Sequence, residues 1–474
     1  TREPAPILAY MCNESIQEGV FPDDLKIAKI VPIFKNGDAK LVSNYRPISV
    51  LPAFSKIFEK IIQKQLEKYL ADSDILDKNQ FGFRSKLSTS MALLELLDKL
   101  CASIDKQETS VGVFIDLAKA FDTVNHEILL GKLQQYGIRG IPFKWFKSYL
   151  MNRKQYVVIN TSKSKFTAIK CGVPQGSMLG PILFLLYIND LNYVSKLLQI
   201  IMFADDTNIF LTGKSLKQLN QQLNEELVLV NEWFKANLLS LNISKTSYII
   251  FGNRKYENLD IYINNIQLIR QYETKFLGII LTADLKWTKH IDIVLSKTSK
   301  CLGIIAKVRH LLPLHLTKML YMTLIEPYLN YCNLVWCSPD PTLMLNKNFK
   351  IQKKYCRLMT FSKFTAPSKA LFTQLKLLSI FDIYRQQLAT YMYKIINHLV
   401  PTLDHQLVRT GSSFHNYNTR TKDKLRKPFC RTKMRQNTLC YQGPKLWNQL
   451  PEFIKNAPSC NIFKSKMKSF LVAS

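Results

Sequence analysis

Acidic residues are scarce in the last third of this 474-residue sequence. Residues 301–474 contain 27 Lys and Arg side chains against 6 Asp and Glu, whereas residues 1–300 contain 38 against 29. The imbalance gives the chain a formal net charge of +30, which excludes a protein indifferent to polyanions. We expect the acid-poor third to contact nucleic-acid phosphates; the alternative is a cationic face that serves only solubility.

The sequence also lacks long apolar runs, closely spaced cysteine pairs and low-complexity stretches. Its longest apolar runs, such as 182–188, are well short of the ~20 residues that a membrane-spanning helix needs. The 10 cysteines include no Cys-x-x-Cys pair, which argues against a zinc knuckle or a disulfide scaffold and favours a reducing compartment. An apolar fraction of 47% is ample for packed cores, so a disordered chain is excluded.

Hydrophobic patterning predicts an α+β chain. Helices and strands alternate up to about residue 286, and the pattern is helical from Trp287 onward. The turn Gly172–Gly176 is predicted to open a helix that runs to Asn189. Residues Ile261–Ile269 are predicted to form one strand, and Asp122 is interpreted as the cap of the helix that follows it.

Three carboxylates lie at the ends of predicted strands. The apolar run Ser110–Ile115 is typical of a strand buried on both faces, and it ends at Asp116. Two further apolar runs are joined through Ala204, Asp205 and Asp206, which predicts a hairpin with two acids at its tip. Such carboxylates are costly unless a cation compensates them, and hard oxygen ligands favour magnesium. Taken alone, however, an Asp-Asp tip is also typical of an ordinary polar turn.

Eight ordered motifs connect these carboxylates to a known family. In chain order they are Ile33–Asp38, Asn44–Ser49, Gln80–Arg84, Phe114–Val124, Gly172–Ser177, Phe203–Asp206, Leu241–Thr246 and Phe276–Gly278. Together they resemble a reverse transcriptase of the non-LTR retrotransposon type, jockey-like in character. The resemblance covers about residues 20–290.

The resemblance implies a right-hand polymerase with fingers, a ferredoxin-like palm built on an antiparallel sheet, and a helical thumb. It implies an N-terminal extension and fingers over 1–106, and a palm with interleaved fingers elements over 107–286. The reverse transcriptase core would span about 30–285, followed by the thumb over 287–400. A basic, mainly helical tail would occupy 401–474 and include Asn416–Arg420.

The resemblance also implies the site residues. The catalytic metal ligands would be Asp116, Asp205 and Asp206, with the Leu117 carbonyl as a backbone ligand, holding two Mg²⁺ ions for which Mn²⁺ could substitute. The implied nucleotide-binding residues are Lys35, Arg46, Phe121, Gln175, Gly176 and Lys245. Among these, Phe121 would be the steric gate against ribonucleotides. The implied primer grip consists of Phe276, Leu277 and Gly278.

The function implied is RNA-directed DNA synthesis, extending a DNA 3′-hydroxyl with deoxynucleoside triphosphates on an RNA template. The expected partners are therefore an RNA template and a DNA primer or target, with no membrane. The expected location is intracellular, with nucleus and cytoplasm both left open. The upstream endonuclease of such elements is not recognisable, so we expect nicking to come from sequence outside this chain. Two alternatives stay open: a catalytically decayed or co-opted nucleic-acid-binding remnant, and a maturase-like RNA-binding protein.

Overall fold

The computed structural model describes residues 4–252, 256–338, 343–401, 410 and 424–473. Helices and strands alternate as far as Thr282. The helices of this part are α1 (Pro4–Glu18), α2 (Ala53–Asp72), α3 (Thr89–Asp105), α4 (His126–Gln135), α5 (Gly140–Leu150), α6 (Gly180–Ile188) and α7 (Leu216–Ala236). The first nine strands are β1 (Ile27–Phe34), β2 (Tyr45–Val50), β3 (Thr109–Ile115), β4 (Lys154–Ile159), β5 (Ser162–Lys163), β6 (Thr167–Ala168), β7 (Gln199–Phe203), β8 (Asp206–Gly213) and β9 (Ser247–Phe251).

Short strands complete this part, and helices follow. The remaining strands are β10 (Tyr262–Ile263), β11 (Ile266–Gln267), β12 (Ile269–Arg270), β13 (Glu273–Phe276) and β14 (Ile279–Thr282). The later helices are α8 (Thr288–Val308), α9 (Leu314–Leu324), α10 (Glu326–Asn330), α11 (Asn333–Trp336), α12 (Leu343–Met359), α13 (Ser368–Leu375), α14 (Ile380–Ile396), α15 (Lys433–Gln436), α16 (Leu439–Trp447), α17 (Glu452–Lys455) and α18 (Cys460–Ala473). The predicted α+β class is confirmed.

The central sheet has the strand order β12-β9-β3-β8-β7. Strand β3 pairs antiparallel with β8 on one side and with β9 on the other, while β12 joins β9 in parallel. All seven residues of β3 are buried, as the continuous apolar run predicts. The pair Ile115↔Thr207 lies at one end of the β3–β8 ladder, so the residue after β3 and the turn before β8 meet at the same sheet edge.

A second sheet has the order β2-β1-β4-β5, with β6 also paired to β4. Strands β1 and β2 form an antiparallel hairpin in which Ile33 lies opposite Arg46. Strand β1 runs parallel to β4 on its other side. Strand β1 of the hairpin is therefore hydrogen-bonded on both sides, to β2 and to β4.

The central sheet is packed on both faces, because successive residues of β3 point in opposite directions. Val111, Val113 and Ile115 face one apolar core shared with α4, α6 and α7. Phe114 faces a larger core that includes residues of α3, of the β13–β14 hairpin and of the later helices. The helical second half of the chain is thus continuous in packing with the central sheet.

Several predicted boundaries were wrong. The turn Gly172–Gly176 does not lead directly into a helix, because α6 begins only at Gly180. The predicted single strand Ile261–Ile269 is broken into short pieces by residues Asn264 and Asn265, which both adopt positive φ. Amide side chains tolerate this left-handed conformation better than branched ones, so the chain turns there into a tight hairpin.

The C-terminal residues 424–473 fold back onto the earlier part of the chain. Arg435 forms an ion pair of 2.5 Å with Asp98 on α3. Thr432 donates from its backbone nitrogen to Asp105 at 2.7 Å, and the Phe463 ring of α18 stacks on Tyr393 of α14 at a centroid distance of 4.5 Å. The tail motif Asn416–Arg420 lies outside the described residues. Within the described part of the chain, no helix combines the length and apolarity needed to cross a membrane.

Candidate active site

Three carboxylates converge at one edge of the central sheet. Asp116 directly follows β3, Asp205 lies in the tight turn between β7 and β8, and Asp206 is the first residue of β8, paired with Phe203. Because β3 and β8 are neighbours, residues separated by about 90 positions in sequence meet there. Asp116 and Asp205 are half-buried, and Asp206 is exposed as a residue although its carboxyl group is partly withdrawn from water.

Desolvation and mutual repulsion raise the pKa of two of these acids. Withdrawal from water is the largest cause for Asp205, and Asp116 adds repulsion, whereas Arg46 and Lys35 oppose the rise in pKa. For Asp206 the same withdrawal, followed by the charges of Asp205 and Asp116, raises the pKa to about 6. Ionising all three groups is therefore unfavourable without a compensating cation.

The oxygen ligands of the three carboxylates fit a hard divalent cation. Carboxylate oxygens are the ligands that Mg²⁺ and Mn²⁺ prefer, and a cation would relieve the repulsion that raises the pKa values of Asp205 and Asp206. Among the described residues, no group of three or more His, Cys, Asp or Glu side chains is arranged so that it could hold a metal ion. Leu117, expected to contribute its carbonyl, is buried and bridged antiparallel to Leu241 at the same edge.

Two cations of the β1–β2 hairpin face the acidic edge. Lys35 follows β1, and its backbone nitrogen donates to Asn44 at 2.9 Å across the hairpin end. Arg46 lies on β2, and both side chains are exposed. Their charges reach Asp205, whose pKa they lower against the larger effect of desolvation. The structure therefore brings both predicted residues toward the carboxylates.

The turn containing Gln175 and Gly176 connects this hairpin to the edge. The Gln175 carbonyl accepts a hydrogen bond of 2.7 Å from the Ser49 backbone nitrogen on β2. Gly176 has a φ of +126°, and a Cβ there would lie 2.5 Å from the Ser49 carbonyl oxygen. A glycine is thus required for close approach of β2, in addition to any approach of a nucleotide.

Asp122 has a role that sequence reasoning missed. Its Oδ1 accepts a hydrogen bond of 2.8 Å from the Gln175 side-chain nitrogen. The interpretation of Asp122 as a helix cap was wrong, because the Asn125 side chain caps α4 by accepting from the Glu127 and Ile128 nitrogens. Asp122 follows Phe121 directly, and this adjacency to a predicted pocket residue was the available signal.

Phe121 lies between two aromatic rings, and Lys245 lies beside Asp116. The Phe121 ring is half-buried between Phe83 and Phe184, with centroid distances of 6.2 and 4.5 Å. The exposed Lys245 ammonium lies 3.9 Å from the Asp116 carboxylate. Lys245 therefore stands beside a proposed metal ligand, a position from which its charge can reach a bound polyphosphate.

The expected primer-grip residues form the turn of the β13–β14 hairpin. Phe276 is buried and packs edge-on against Phe114 of β3 at 6.0 Å. Leu277 and Gly278 both have positive φ, as a two-residue hairpin turn of type I′ requires. The Leu277 carbonyl accepts a hydrogen bond of 2.7 Å from the Tyr331 hydroxyl, a contact that sequence reasoning missed.

An acidic sheet edge faced by a cationic hairpin suits an enzyme that transfers nucleotides. Comparison with known proteins agrees with this class: the family described as reverse transcriptase (RNA-dependent DNA polymerase) matches residues 33–281. The chain therefore belongs to the reverse transcriptase family.

Its similarities within the family are to polymerases of mobile elements. The chain is 31% identical over 340 residues to the RNA-directed DNA polymerase from mobile element jockey of Drosophila melanogaster, covering 68% of this chain and 36% of that protein. It is 27% identical over 407 residues to a probable RNA-directed DNA polymerase from transposon X-element of the same species, covering 82% and 44%. The jockey-like resemblance is confirmed. The chain spans less than half the length of these relatives.

Among solved structures, the chain is similar to a Candida tropicalis telomerase in complex with a fragment of telomeric RNA. The identity is 12% and the TM-score is 0.41, over 81% of this chain and 65% of that one.

Proposed function

We propose that this chain is an RNA-directed DNA polymerase of the non-LTR retrotransposon type. It extends a DNA 3′-hydroxyl with deoxynucleoside triphosphates on an RNA template. The observation that carries the proposal is the convergence of Asp116 with Asp205 and Asp206 at one edge of the central sheet. The names of the two relatives reported above, an RNA-directed DNA polymerase and a probable one, both from mobile elements, support the choice of template.

We further propose that the three acids bind two Mg²⁺ ions, with Mn²⁺ as a substitute. When bound, such ions activate the 3′-hydroxyl and neutralise the charge that develops on the leaving pyrophosphate. The carboxylates fix where the ions sit, and the Leu117 carbonyl supplies a further oxygen ligand. The family as a whole depends on divalent metal, which supports this assignment.

The cationic side chains around the edge then have separable tasks. Lys35 and Arg46 approach from the β1–β2 hairpin and bind the triphosphate, whose charge they balance. Lys245 lies beside Asp116, 3.9 Å from its carboxylate, and we assign it to protonating the departing pyrophosphate. Gln175 and Gly176 line the nucleotide pocket, and Asp122 orients Gln175 through the 2.8 Å hydrogen bond.

We also propose the domain assignment that the resemblance implies. Residues 1–106 form the extension and fingers, 107–286 the palm with interleaved fingers elements, 287–400 the thumb, and 401–474 a basic tail. The β13–β14 turn, with Phe276, Leu277 and Gly278, holds the primer end against the metal ligands. Exposed lysines on the thumb helices α8 and α12 contact duplex phosphates: Lys297, Lys300, Lys307, Lys350 and Lys354.

Primer extension tests the proposal. The purified chain is supplied with an RNA template, an annealed DNA primer, Mg²⁺ and deoxynucleotides, beside the variant Asp205→Asn. We expect the natural chain to extend the primer, and the variant to lose extension while its affinity for the primer–template stays within about twofold, because it loses a metal ligand and not a phosphate contact. Binding without extension by the natural chain would contradict the proposal and favour a catalytically decayed remnant.

A further inference from the structure

The segment Gln80–Arg84 packs against the turn that carries Asp205. Gln80 is 1% exposed, and its side-chain oxygen accepts hydrogen bonds from the backbone nitrogens of Ala204 at 2.9 Å and Gly82 at 2.8 Å. Its side-chain nitrogen lies 3.4 Å from the Ala204 carbonyl oxygen, to which it donates. A single buried amide therefore contacts both polar backbone atoms of the residue immediately before Asp205.

Ala204 is a residue whose conformation needs support. Its φ is +56°, in the left-handed region that a side chain with a Cβ seldom adopts. Such a conformation persists where the surroundings over-determine it, and it sets the direction in which the next residue leaves the turn. The two Gln80 contacts fix the Ala204 peptide groups, and thereby the backbone from which the Asp205 carboxylate extends.

The backbone of the segment is itself held beside strand β7. The Met202 nitrogen donates to the Asn79 carbonyl at 2.9 Å, and the Phe81 nitrogen donates to the Met202 carbonyl at 2.8 Å. A Cβ at Gly82 would overlap the Ala204 backbone nitrogen, so glycine permits this close approach. The half-buried Arg84 donates to the carbonyls of Asp77 at 2.5 Å and Gln80 at 3.2 Å, which ties the base of the loop.

We propose that Gln80 is a positioning residue for nucleotide addition: it locks the Ala204 backbone and so orients Asp205. The inference rests on the proposed polymerase function. Gln80 itself does not touch the reacting groups, and it acts only through the turn. Three residues of the motif Gln80–Arg84 then have separate roles. Gln80 hydrogen-bonds to the turn, Gly82 permits its close approach, and Arg84 anchors the loop.

A matched pair of variants separates this role from a merely structural one. Gln80→Met keeps the length of the side chain and removes its hydrogen bonds. Gln352→Met does the same in α12, where Gln352 is also 1% exposed, donates to the Tyr321 hydroxyl at 2.9 Å and the Leu378 carbonyl at 3.2 Å, and accepts from the Ile380 nitrogen at 2.8 Å. Both variants lose comparable buried hydrogen bonds, so we expect similar losses of folding stability. Gln352→Met is therefore the control for the stability that Gln80→Met loses.

The measurements are kcat for addition of one deoxynucleotide on an RNA template, the Kd of the primer–template, and the Mg²⁺ concentration that gives half-maximal rate. We expect Gln80→Met to lower kcat by about 10- to 100-fold, as misplacement of a reacting group by about 1 Å does, and to raise the Mg²⁺ requirement. Its Kd should stay within about twofold of the natural value. Gln352→Met should keep kcat and the Mg²⁺ requirement.

The outcomes distinguish this inference from the function on which it rests. If the natural chain extends the primer and Gln80→Met matches it in kcat and in Mg²⁺ requirement, the positioning role is wrong and the polymerase assignment stands. If both glutamine variants lose kcat equally, the effect is general destabilisation, which also overturns the positioning role. If the natural chain fails to extend any primer, the polymerase assignment itself fails.

Discussion

The Phe121 ring lies in a row of three aromatic rings, one of which, Phe83, follows the Gly82 that contacts the turn before Asp205. Phe184, behind it, is fully buried, whereas Phe83, in front of it, is 55% exposed. The Phe121 backbone is fixed as well, because its carbonyl accepts a hydrogen bond of 2.8 Å from the Val173 nitrogen. A ring supported in this way cannot easily yield to an extra atom on an incoming sugar.

We therefore predict that Phe121→Ala admits ribonucleotides. Removing the ring relieves the clash with a 2′-hydroxyl, so the preference for deoxynucleotides, measured as the ratio of kcat/KM values, should fall by about 10-fold or more. Phe234→Ala is the matched control, since it truncates a buried phenylalanine on α7 that is not part of this aromatic row and should keep the preference. An unchanged ratio in Phe121→Ala would remove this residue from the gate.

At the residue scale, sequence reasoning located the acids correctly at the ends of adjacent strands but misjudged their supports. Strand-end carboxylates follow from local patterning, because buried strands and tight turns leave clear signals. The Asp122–Gln175 contact joins residues 53 positions apart; the adjacency of Asp122 to Phe121 indicates a role for Asp122, but no local pattern predicts its partner. The same holds for Gly176, whose neighbour is Ser49 on a strand far earlier in the sequence.

Helix α8 packs against the β13–β14 hairpin. The buried His290 on α8 lies with its Nδ1 at 3.5 Å from the Ile280 backbone nitrogen, from which it accepts a hydrogen bond. Its ring packs edge-on against Trp336 at a centroid distance of 5.5 Å. Burial, with a smaller effect of Lys297, lowers the pKa of His290 to about 4.

This burial predicts a pH dependence of stability. The pKa of a histidine in the unfolded chain is about 6.5, whereas in the native chain His290 stays neutral down to about pH 4. Between these values the unfolded state binds more protons at this residue, so the contribution of His290 to the free energy of unfolding should fall as the pH falls, by about 2 kcal/mol from about pH 6.5 to about pH 5. Urea unfolding of the natural chain at both pH values measures this loss.

The variant His290→Asn isolates the contribution of this residue. The asparagine keeps an acceptor for the Ile280 nitrogen but cannot titrate, so the dependence on pH should become shallower by about the same 2 kcal/mol. Any dependence that remains belongs to other groups, including the buried His126, whose pKa is also lowered by burial. Equal slopes in the natural chain and the variant would show that His290 is not kept neutral by the fold.

Element boundaries were predictable where hydrophobic periodicity is long and uninterrupted. Apolar residues at helical spacing predict helices over 53–70 and 216–237, and the observed α2 and α7 end within two residues of these bounds. The segment 261–269 was mispredicted because apolar residues on both sides of Asn264 and Asn265 favour a strand, and the turn that these two asparagines form was not predicted. Short hairpins of this kind depend on positive φ values that composition only suggests.

At the scale of the whole molecule, the basic C-terminal segment is also part of the hydrophobic core. The C-terminal segment 424–473 was expected to be a basic surface, yet its apolar side chains, including Phe463 and Met467, belong to the same core as Phe114 of the central sheet. Its cations are partly used internally, since Arg435 pairs with Asp98. This docking could not be predicted from sequence, because it joins residues more than 300 positions apart.

The whole fold serves to assemble one acidic edge from distant parts of the chain. The measurement that tests this most directly is Mn²⁺ binding, followed by electron paramagnetic resonance in the presence of an RNA–DNA primer–template. The natural chain and the control Asp260→Asn, which alters an exposed acid in another part of the molecule, should bind Mn²⁺ equally, and Asp205→Asn should bind it about 10-fold or more weakly. Equal Mn²⁺ affinity in all three proteins would show that this edge is not the metal centre.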